Sequence, residues 1–431
     1  MRLAGRIAAA IDILDEILTR RRPASEALKD WGKAHRFAGS GDRHAIGTLV
    51  YDALRQRNSL GFRMEDQSPR ALALGALRFA WNLTPDVIAE TVKERFGPGE
   101  LSNHEWDHLS KPKDLSTAPP HIAGDFPEWL TPSFARAFGN KAAEEGAALA
   151  RRAPIDLRAN TLKATRAQVL EALGKYGAVE GPLSPWCVRV PAPGPEERHR
   201  DVEAEPAHGL GWFEVQDAAS QIAAMLSGAN VSERVADICA GAGGKTLALA
   251  AMMQNQVTLV AYDSDKHRLR PIFERLTRAG ATDVQVIAAD EAHRLTEHGP
   301  YDCLVIDAPC SGSGAWRRKP DAKWRLTEKQ LQQRFKDQSQ VLEKGFELAR
   351  PGGRIVYMTC SVLPEENADQ VRAFMSRHPG LSIIPYTDLW SSGDPPPQRT
   401  DLDGTLLLTP ASTDTDGFFV AVMRKSSLPR A

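Results

Sequence analysis

Five short runs rich in Val, Ile and Leu recur between residues 234 and 360: RVADICAG, TLVAYDSD, DVQVIAAD, CLVIDAP and RIVYMTC. Each is too short for a helix and stops at a turn residue, an acid or a cysteine, the pattern of a strand buried on both faces. Helical patterns separate them, and strands alternating with helices pack as a doubly wound parallel sheet. Later, TLLLTP and GFFVAVMRK read as additional strands at one end of that sheet. Ligands of such a sheet bind outside the carboxyl ends of its strands. The residues that end the runs are therefore the candidates for chemistry.

Two of those ends are thiols. CLVIDAPCSGSG runs into Cys310, with Asp307 three residues before it, and GRIVYMTCSVLPEEN contains Cys360. An isolated free cysteine is usually a packing residue. Two of them at two strand ends, one beside an acid, point to nucleophilic chemistry. The five cysteines (Cys187, Cys239, Cys303, Cys310, Cys360) show no CxxC pair and no Cys/His cluster. A disulfide framework or a metal site is not expected, and a reducing cytosol fits.

DICAGAGGKT follows the first run and opens a helix. The stretch Cys239, Ala240, Gly241, Ala242, Gly243, Gly244, Lys245 lets backbone approach a ligand closely, and the helix N-terminus adds donors. It is not a Walker loop, because residue 239 is Cys where that loop needs Gly, and Thr246 breaks GxGxxG. Asp263 lies 22 residues after Gly241, where an acid holds ribose hydroxyls. Asp290 ends the third run, within reach of an adenine edge, and Asp307 ends the fourth. Any one of these acids alone reads as a cap or loop residue. Three in succession beside a glycine loop indicate a nucleoside-bearing cofactor. The fold alone leaves NAD open; the loop and the thiols favour S-adenosylmethionine.

The remainder sorts by periodicity. Residues 1 to about 110 are helical, with Ile7, Ile11, Leu14 and Leu18, then Ile46, Leu49, Val50, Ala53 and Leu54, at helical spacing. Residues 111–127 read as a linker, 128–205 as a small α/β module, and 206–425 as the main domain. MRLAGRIAAAIDILDEILTRRR is broken by Asp12, Asp15 and Glu16, so it is an amphipathic helix and no membrane segment is expected. With 54 Lys and Arg against 55 Asp and Glu, bulk charge cannot drive polyanion binding, and nucleic acid would need local patches. Arg20, Arg21, Arg22, Arg43, Arg55 and Arg57 form either such a patch or a solvated helix face. Between Ser311 and Lys336, eight Lys or Arg residues and two acids interleave with Trp316, Trp324 and Phe335. That mixture suits a nucleic-acid strand, charge along its backbone and rings under its bases. The competing reading is a solvated helix with its tryptophans in the core; the start at Cys310 favours RNA.

Taken together, DICAGAGGKT, AYDSDKHRL, DAPCSGSGAWRRKPDAKWR, TCSVLPEEN and DGFFVAVMRK closely resemble the Nop/Sun family of RNA cytosine-5 methyltransferases, above all its bacterial RsmB-like members. The resemblance covers residues 125–425, with LRANTLKATR and FEVQDAASQ in the segments before the catalytic core. The N-terminal helices resemble a NusB-like RNA-binding domain. Where the family usually reads CAAPGGKT, Gly241-Ala242 replaces Ala-Pro here, which loosens the loop and removes no chemical group. The resemblance implies a Rossmann-like class I methyltransferase domain preceded by a small α/β RNA-binding module and an all-helical domain. It implies a cytoplasmic, monomeric enzyme that uses S-adenosylmethionine to form 5-methylcytosine in RNA, ribosomal RNA first among candidates. Cys360 would be the nucleophile and Cys310 the thiol that assists release. Residues 239–245 with Asp263, Asp290 and Asp307 would bind S-adenosylmethionine, and Asp307 and Lys245 would also face the target base. Two alternatives stay open. One is a DNA cytosine-5 methyltransferase attacking through Cys310, which leaves Cys360 and the helices unused. The other is a silent RNA-binding assembly factor, for which an eroded cysteine or glycine loop would speak; neither is seen.

Overall fold

Spacing of apolar residues at i, i+3 and i+4 turns Leu3–Arg20 into a helix that buries Ile7, Ile13, Leu14 and Ile17 along one face. Helices Ser40–Arg55 and Pro69–Gly75 pack against it, and Leu49, Val50, Leu54, Leu72 and Leu74 complete the core. The computed structural model describes every residue except 195, 196, 198–200, 257, 258, 394, 397, 399 and 428–431. The first residue of the expected strand TLVAYDSD, Thr258, thus lies outside the described residues.

The chain divides into two units. The first comprises Met1–Ala153, Ala192–Arg200 and Trp316–Leu326; the second comprises Pro154–Pro191, Asp201–Ala315 and Thr327–Ala431. The regular elements of the first unit among the described residues are all helical and continue well past residue 110, through helices Thr131–Phe138 and Ala142–Leu149. The stretch read as a linker is packed into it. Phe126 is fully buried and stacks on Phe134 with ring centres 4.0 Å apart, and Asp125 accepts hydrogen bonds from the Ser59 N–H and hydroxyl. Its helices, Leu115–Thr117 and Pro120–Ala123, span three and four residues, too few to leave any periodicity.

Two sheets build the second unit. Strands β1 (Ile155–Ala159), β2 (Val179–Glu180), β3 (Cys187–Val190) and β4 (Phe213–Val215) form an antiparallel sheet in the order β2-β3-β1-β4. Helix Arg166–Ala172, opened by a Thr165/Gln168 capping box, contributes Val169 to a core with Leu157, Val188 and Phe213. The fourth strand lies beyond residue 205, where FEV pairs with β1.

The larger sheet holds β5 (Val235–Asp237), β6 (Leu259–Tyr262), β7 (Val284–Ile287), β8 (Tyr301–Asp307), β9 (Ala349–Thr359), β10 (Leu381–Ile384), β11 (Leu406–Leu408) and β12 (Phe418–Lys425). Its order is β10-β12-β9-β8-β5-β6-β7, with β11 on β12. The five expected runs are the parallel strands β5 to β9. β12 is antiparallel to β9, with β10 and β11 both on its outer side, so TLLLTP and GFFVAVMRK are additional strands at one end of the sheet, as expected. The FFVAVM stretch of β12 is buried at every position, which explains why it reads as continuously apolar. Chain order reverses between β5 and β8, and that switch point is where a ligand crevice opens.

Candidate functional site

The turn after β5 is shaped by two left-handed glycines, Gly241 (φ +50°) and Gly243 (φ +89°). A Cβ on Gly243 would sit 2.6 Å from Ile272 Cγ1, so the loop tolerates no side chain there. Helix Gly244–Met252 begins immediately after. The Gly241 N–H donates to Asp263 Oδ2 (2.9 Å) and the Asp265 N–H to Oδ1 (2.8 Å). Asp263, at the end of β6, is thereby fixed against the loop. Asp237 lies beneath it with no exposure; burial raises its carboxyl to about 7, aided by the charge of Asp307 and opposed by the hydroxyl that Thr246 donates.

On the other side of the switch, Asp307 ends β8 and accepts from Lys245 Nζ at 3.0 Å. Lys245 is buried, donates also to Ser220 Oγ (2.7 Å), and rests 4.6 Å from the Phe418 ring centre. Three residues on, Cys310 Sγ lies 3.4 Å from Cys360 Sγ. The hydrogen bond to Cys360, and then burial, hold the Cys310 thiol well above its ordinary range. Small residues permit this contact. The Gly314 N–H donates to Cys360 O and the Gly417 N–H to Gly314 O, and a Cβ on Gly314 would fall 2.0 Å from Gly417 O. SGSG and DGFF, far apart in sequence, are therefore two halves of one close backbone contact.

A cleft of about 810 Å³ runs along these strand ends, within the size range of small-molecule sites. Cys239, Asp263, Asp307, Cys310 and Cys360 all line it. Ala240, Gly241, Ala242, Gly243, Gly244 and Lys245 shape it from behind, through the turn and the Lys245–Asp307 pair. Asp290 is exposed in the turn after β7 and lies off the lining. The walls include four residues that sequence reading missed: Tyr262, Arg268, Arg334 and Lys344. Lys344 Nζ sits 4.1 Å from the Tyr262 ring centre. Tyr262 adjoins Asp263 and was within reach of inference; Lys344, one of many polar residues on helix Glu328–Leu348, carried no signal. Among the described residues no group of three His, Cys, Asp or Glu side chains could hold a metal, and no helix is long and apolar enough to cross a membrane.

The basic, aromatic stretch after Cys310 is chiefly an anchor. Trp316 is 1% exposed and stacks toward Phe134, and Trp324 Nε1 donates to Leu54 O. Lys323 is buried and donates to Arg55 O; burial pushes its pKa down and that of nearby Asp125 up. Trp316 is too buried to stack on a base and Trp324 is half-buried, and only Lys319, Lys329, Arg334 and Lys336 of the eight cations are exposed. Burial won because Trp316 and Trp324 complete the helical unit's core. The N-terminal arginines are similarly occupied: Arg22 with Glu16 and Asp30, Arg43 with Ala38 O, Arg55 with Asp52, and Arg57 over the Trp324 ring. Arg20 and Arg21 remain exposed.

A parallel-rich sheet with a glycine turn and acids at its switch point places this chain in the Rossmann-like nucleotide-binding class. Comparison with known proteins narrows this. Residues 224–424 match the family described as 16S rRNA methyltransferase RsmB/F, and residues 126–196 match the ferredoxin-like domain of RsmF/B-like methyltransferases. Ribosomal RNA small subunit methyltransferase B of Cronobacter sakazakii is 33% identical over 303 residues, 69% of this chain and 66% of that one. The probable ribosomal RNA small subunit methyltransferase B of Synechocystis sp. is 30% identical over 311 residues, 70% of this chain and 67% of that one. The crystal structure of PH0851 superposes with a TM-score of 0.72 at 24% identity, covering 99% of both chains. The chain belongs to the RsmB/F methyltransferase family, and it matches about two thirds of the length of these bacterial relatives.

Proposed function

We propose that this protein transfers a methyl group from S-adenosylmethionine to carbon 5 of a cytosine in small-subunit ribosomal RNA, with Cys360 as nucleophile. The observation that carries the reading is the pair of sulfurs 3.4 Å apart on a cleft that Asp263 and Asp307 also line.

The residues present suit the cofactor. Each oxygen of Asp263 takes one backbone N–H and keeps acceptor capacity for ribose hydroxyls. Gly241 and Gly243 clear space for backbone approach, and Cys239 and Tyr262 add wall. Asp290, exposed just after β7, lies outside the cleft lining. S-adenosylmethionine would supply an electrophilic methyl group. Carbon 5 of cytosine is too weak a nucleophile to take it unaided. Addition of the Cys360 thiolate to carbon 6 makes the ring an enamine and carbon 5 reactive, splitting one hard step into two easier ones. Cys310 Sγ, 3.4 Å from Cys360 Sγ, is close enough to share a proton with it. The Lys245–Asp307 pair stabilises charge that builds at ring nitrogen 3 and the neighbouring amine. Release requires a base, here water in the open cleft, to take the carbon-5 proton; the C–H electron pair restores the ring double bond as the carbon–sulfur bond breaks and the Cys360 thiolate departs. Cys310 stands beside that bond to assist. The base leaves its stack to enter the cleft.

The test is nucleoside mass spectrometry of small-subunit rRNA incubated with the protein and isotopically labelled S-adenosylmethionine. Labelled 5-methylcytidine, absent with Cys360→Ala, is expected. A label on another nucleoside, or full activity of Cys360→Ala, would refute the assignment.

A further inference from the structure

The residues on either side of each cleft cysteine lead to the same buried pair, Glu366 and Asn367. Ser311, directly after Cys310, donates its N–H to Glu366 Oε1 (2.7 Å) and its hydroxyl to Oε2. Ser361, directly after Cys360, donates its hydroxyl to that same Oε2. Gln338 Nε2 donates to Glu366 Oε1 (3.0 Å) and to the carbonyl of Pro309 (3.0 Å), directly before Cys310. Asn367 accepts from the Thr359 hydroxyl (2.6 Å) and donates to Ser361 O (2.9 Å), so it brackets Cys360. Glu366 and Gln338 have no exposure and Asn367 has 3%. None of the three lines the cleft.

A carboxyl group buried this deeply is costly unless its oxygens are satisfied. Four donors from three separate segments satisfy Glu366, and two of those segments carry the cysteines. Apolar side chains would close the same space without fixing the register of one loop against the other. The arrangement therefore holds a distance.

We propose that Glu366 and Asn367 are positioning residues, a clamp that sets the Cys310–Cys360 sulfur separation and thereby couples attack to release. Their role rests on the assignment of Cys360 and Cys310 given above. Neither touches substrate or cofactor; both act through the loops they tie.

Sulfur geometry can be read without RNA. Diamide takes two electrons and two protons to become a hydrazine as Cys310 and Cys360 lose two hydrogens and join, and peptide mapping by mass spectrometry counts the product. Glu366→Ala and Asn367→Ala should slow this closure by about tenfold or more, since effective molarity falls steeply as geometry loosens. Glu366→Gln keeps an oxygen for the Ser311 N–H and should recover most of the rate. Alkylation of Cys360 by iodoacetamide in a Cys310→Ala background should change by less than about twofold, since that reaction needs no partner sulfur. In turnover, kcat should fall with closure while KM for S-adenosylmethionine stays put. Should Glu366→Ala fail to fold, Asn367→Ala against Glu366→Gln decides. Closure at the wild-type rate in the folded variants, or a loss confined to KM, overturns the clamp. A wild-type protein that closes rapidly yet makes no 5-methylcytidine would overturn the proposed function and leave the clamp standing.

Discussion

Asp263 and Asp237 show how two carboxylates one strand apart acquire different tasks from their surroundings. Asp263 is pinned by two backbone N–H groups on the cleft wall, and its charge-assisted bonds to a ribose are the expected basis of cofactor affinity. Asp263→Ala should lose about 1.5–3 kcal/mol of binding, more than tenfold in Kd, measured by calorimetry with S-adenosylhomocysteine. Asp237 never meets the cleft. With a folded pKa near 7 against about 3.9 unfolded, its neutral form stabilises the fold fully below pH 4, and that contribution is lost as pH rises through 7. Asp237→Asn, whose amide can donate to the Thr246 hydroxyl, should flatten the dependence of urea stability on pH between 4 and 7. At pH 8 it should be the more stable protein, by at most about 4 kcal/mol. At this scale the cysteines, the glycine turn and Asp263 were legible because each ends an apolar run. Glu366, Gln338 and Asn367 were not. Glu366 and Gln338 matter through partners 28 to 55 residues away and Asn367 through Thr359 and Ser361 nearby, and a Glu in PEEN looks like any surface acid.

The contact between SGSG and DGFF argues that elements here are joined by backbone, not by side chains. Gly314→Ala would press a methyl group to 2.0 Å from the Gly417 carbonyl and part the Cys310 loop from β12. A loss of about 1–3 kcal/mol in stability should follow, with a lower Tm, and turnover should fall further than stability alone accounts for. A variant with the wild-type Tm and kcat would show that the loops yield freely. Strands β5 to β9 were readable because each is a Val/Ile-rich run between helices. That β12 lies at one end of the sheet was readable too; its pairing partners were not, since an apolar run says only that a strand is covered on both faces. The four-residue β10 and the short helices near residues 115–123 fell below the length at which periodicity speaks.

For the molecule as a whole, near-zero net charge means that RNA affinity must come from a few placed cations. With Trp316 and Lys323 buried and Trp324 half-buried, the exposed Lys329, Arg334 and Lys336 are the better candidates, and Arg334 stands at the cleft itself. Replacing all three with Gln should weaken RNA binding and reduce the log–log salt slope by about 2, because each single-strand phosphate that a cation neutralises adds roughly 0.7 to it. Anisotropy across a salt series measures this, and an unchanged slope would move the RNA path elsewhere. The two-unit division was the least legible feature. Trp316–Leu326 sits in sequence between Cys310 and a helix of the second unit, yet belongs with residues 1–153. Its charge and rings advertised a nucleic-acid surface because composition cannot distinguish a tryptophan that stacks on a base from one that fills a core.

The most direct test of the central claim is a denaturing gel of Cys310→Ala incubated with rRNA and methyl-labelled S-adenosylmethionine. Cys360 as attacker and Cys310 as the aid to release predict a labelled protein–RNA band that survives denaturation in Cys310→Ala and vanishes in the Cys310→Ala, Cys360→Ala double variant. A band that instead persists in Cys360→Ala and is missing from Cys310→Ala would contradict the account and make Cys310 the nucleophile.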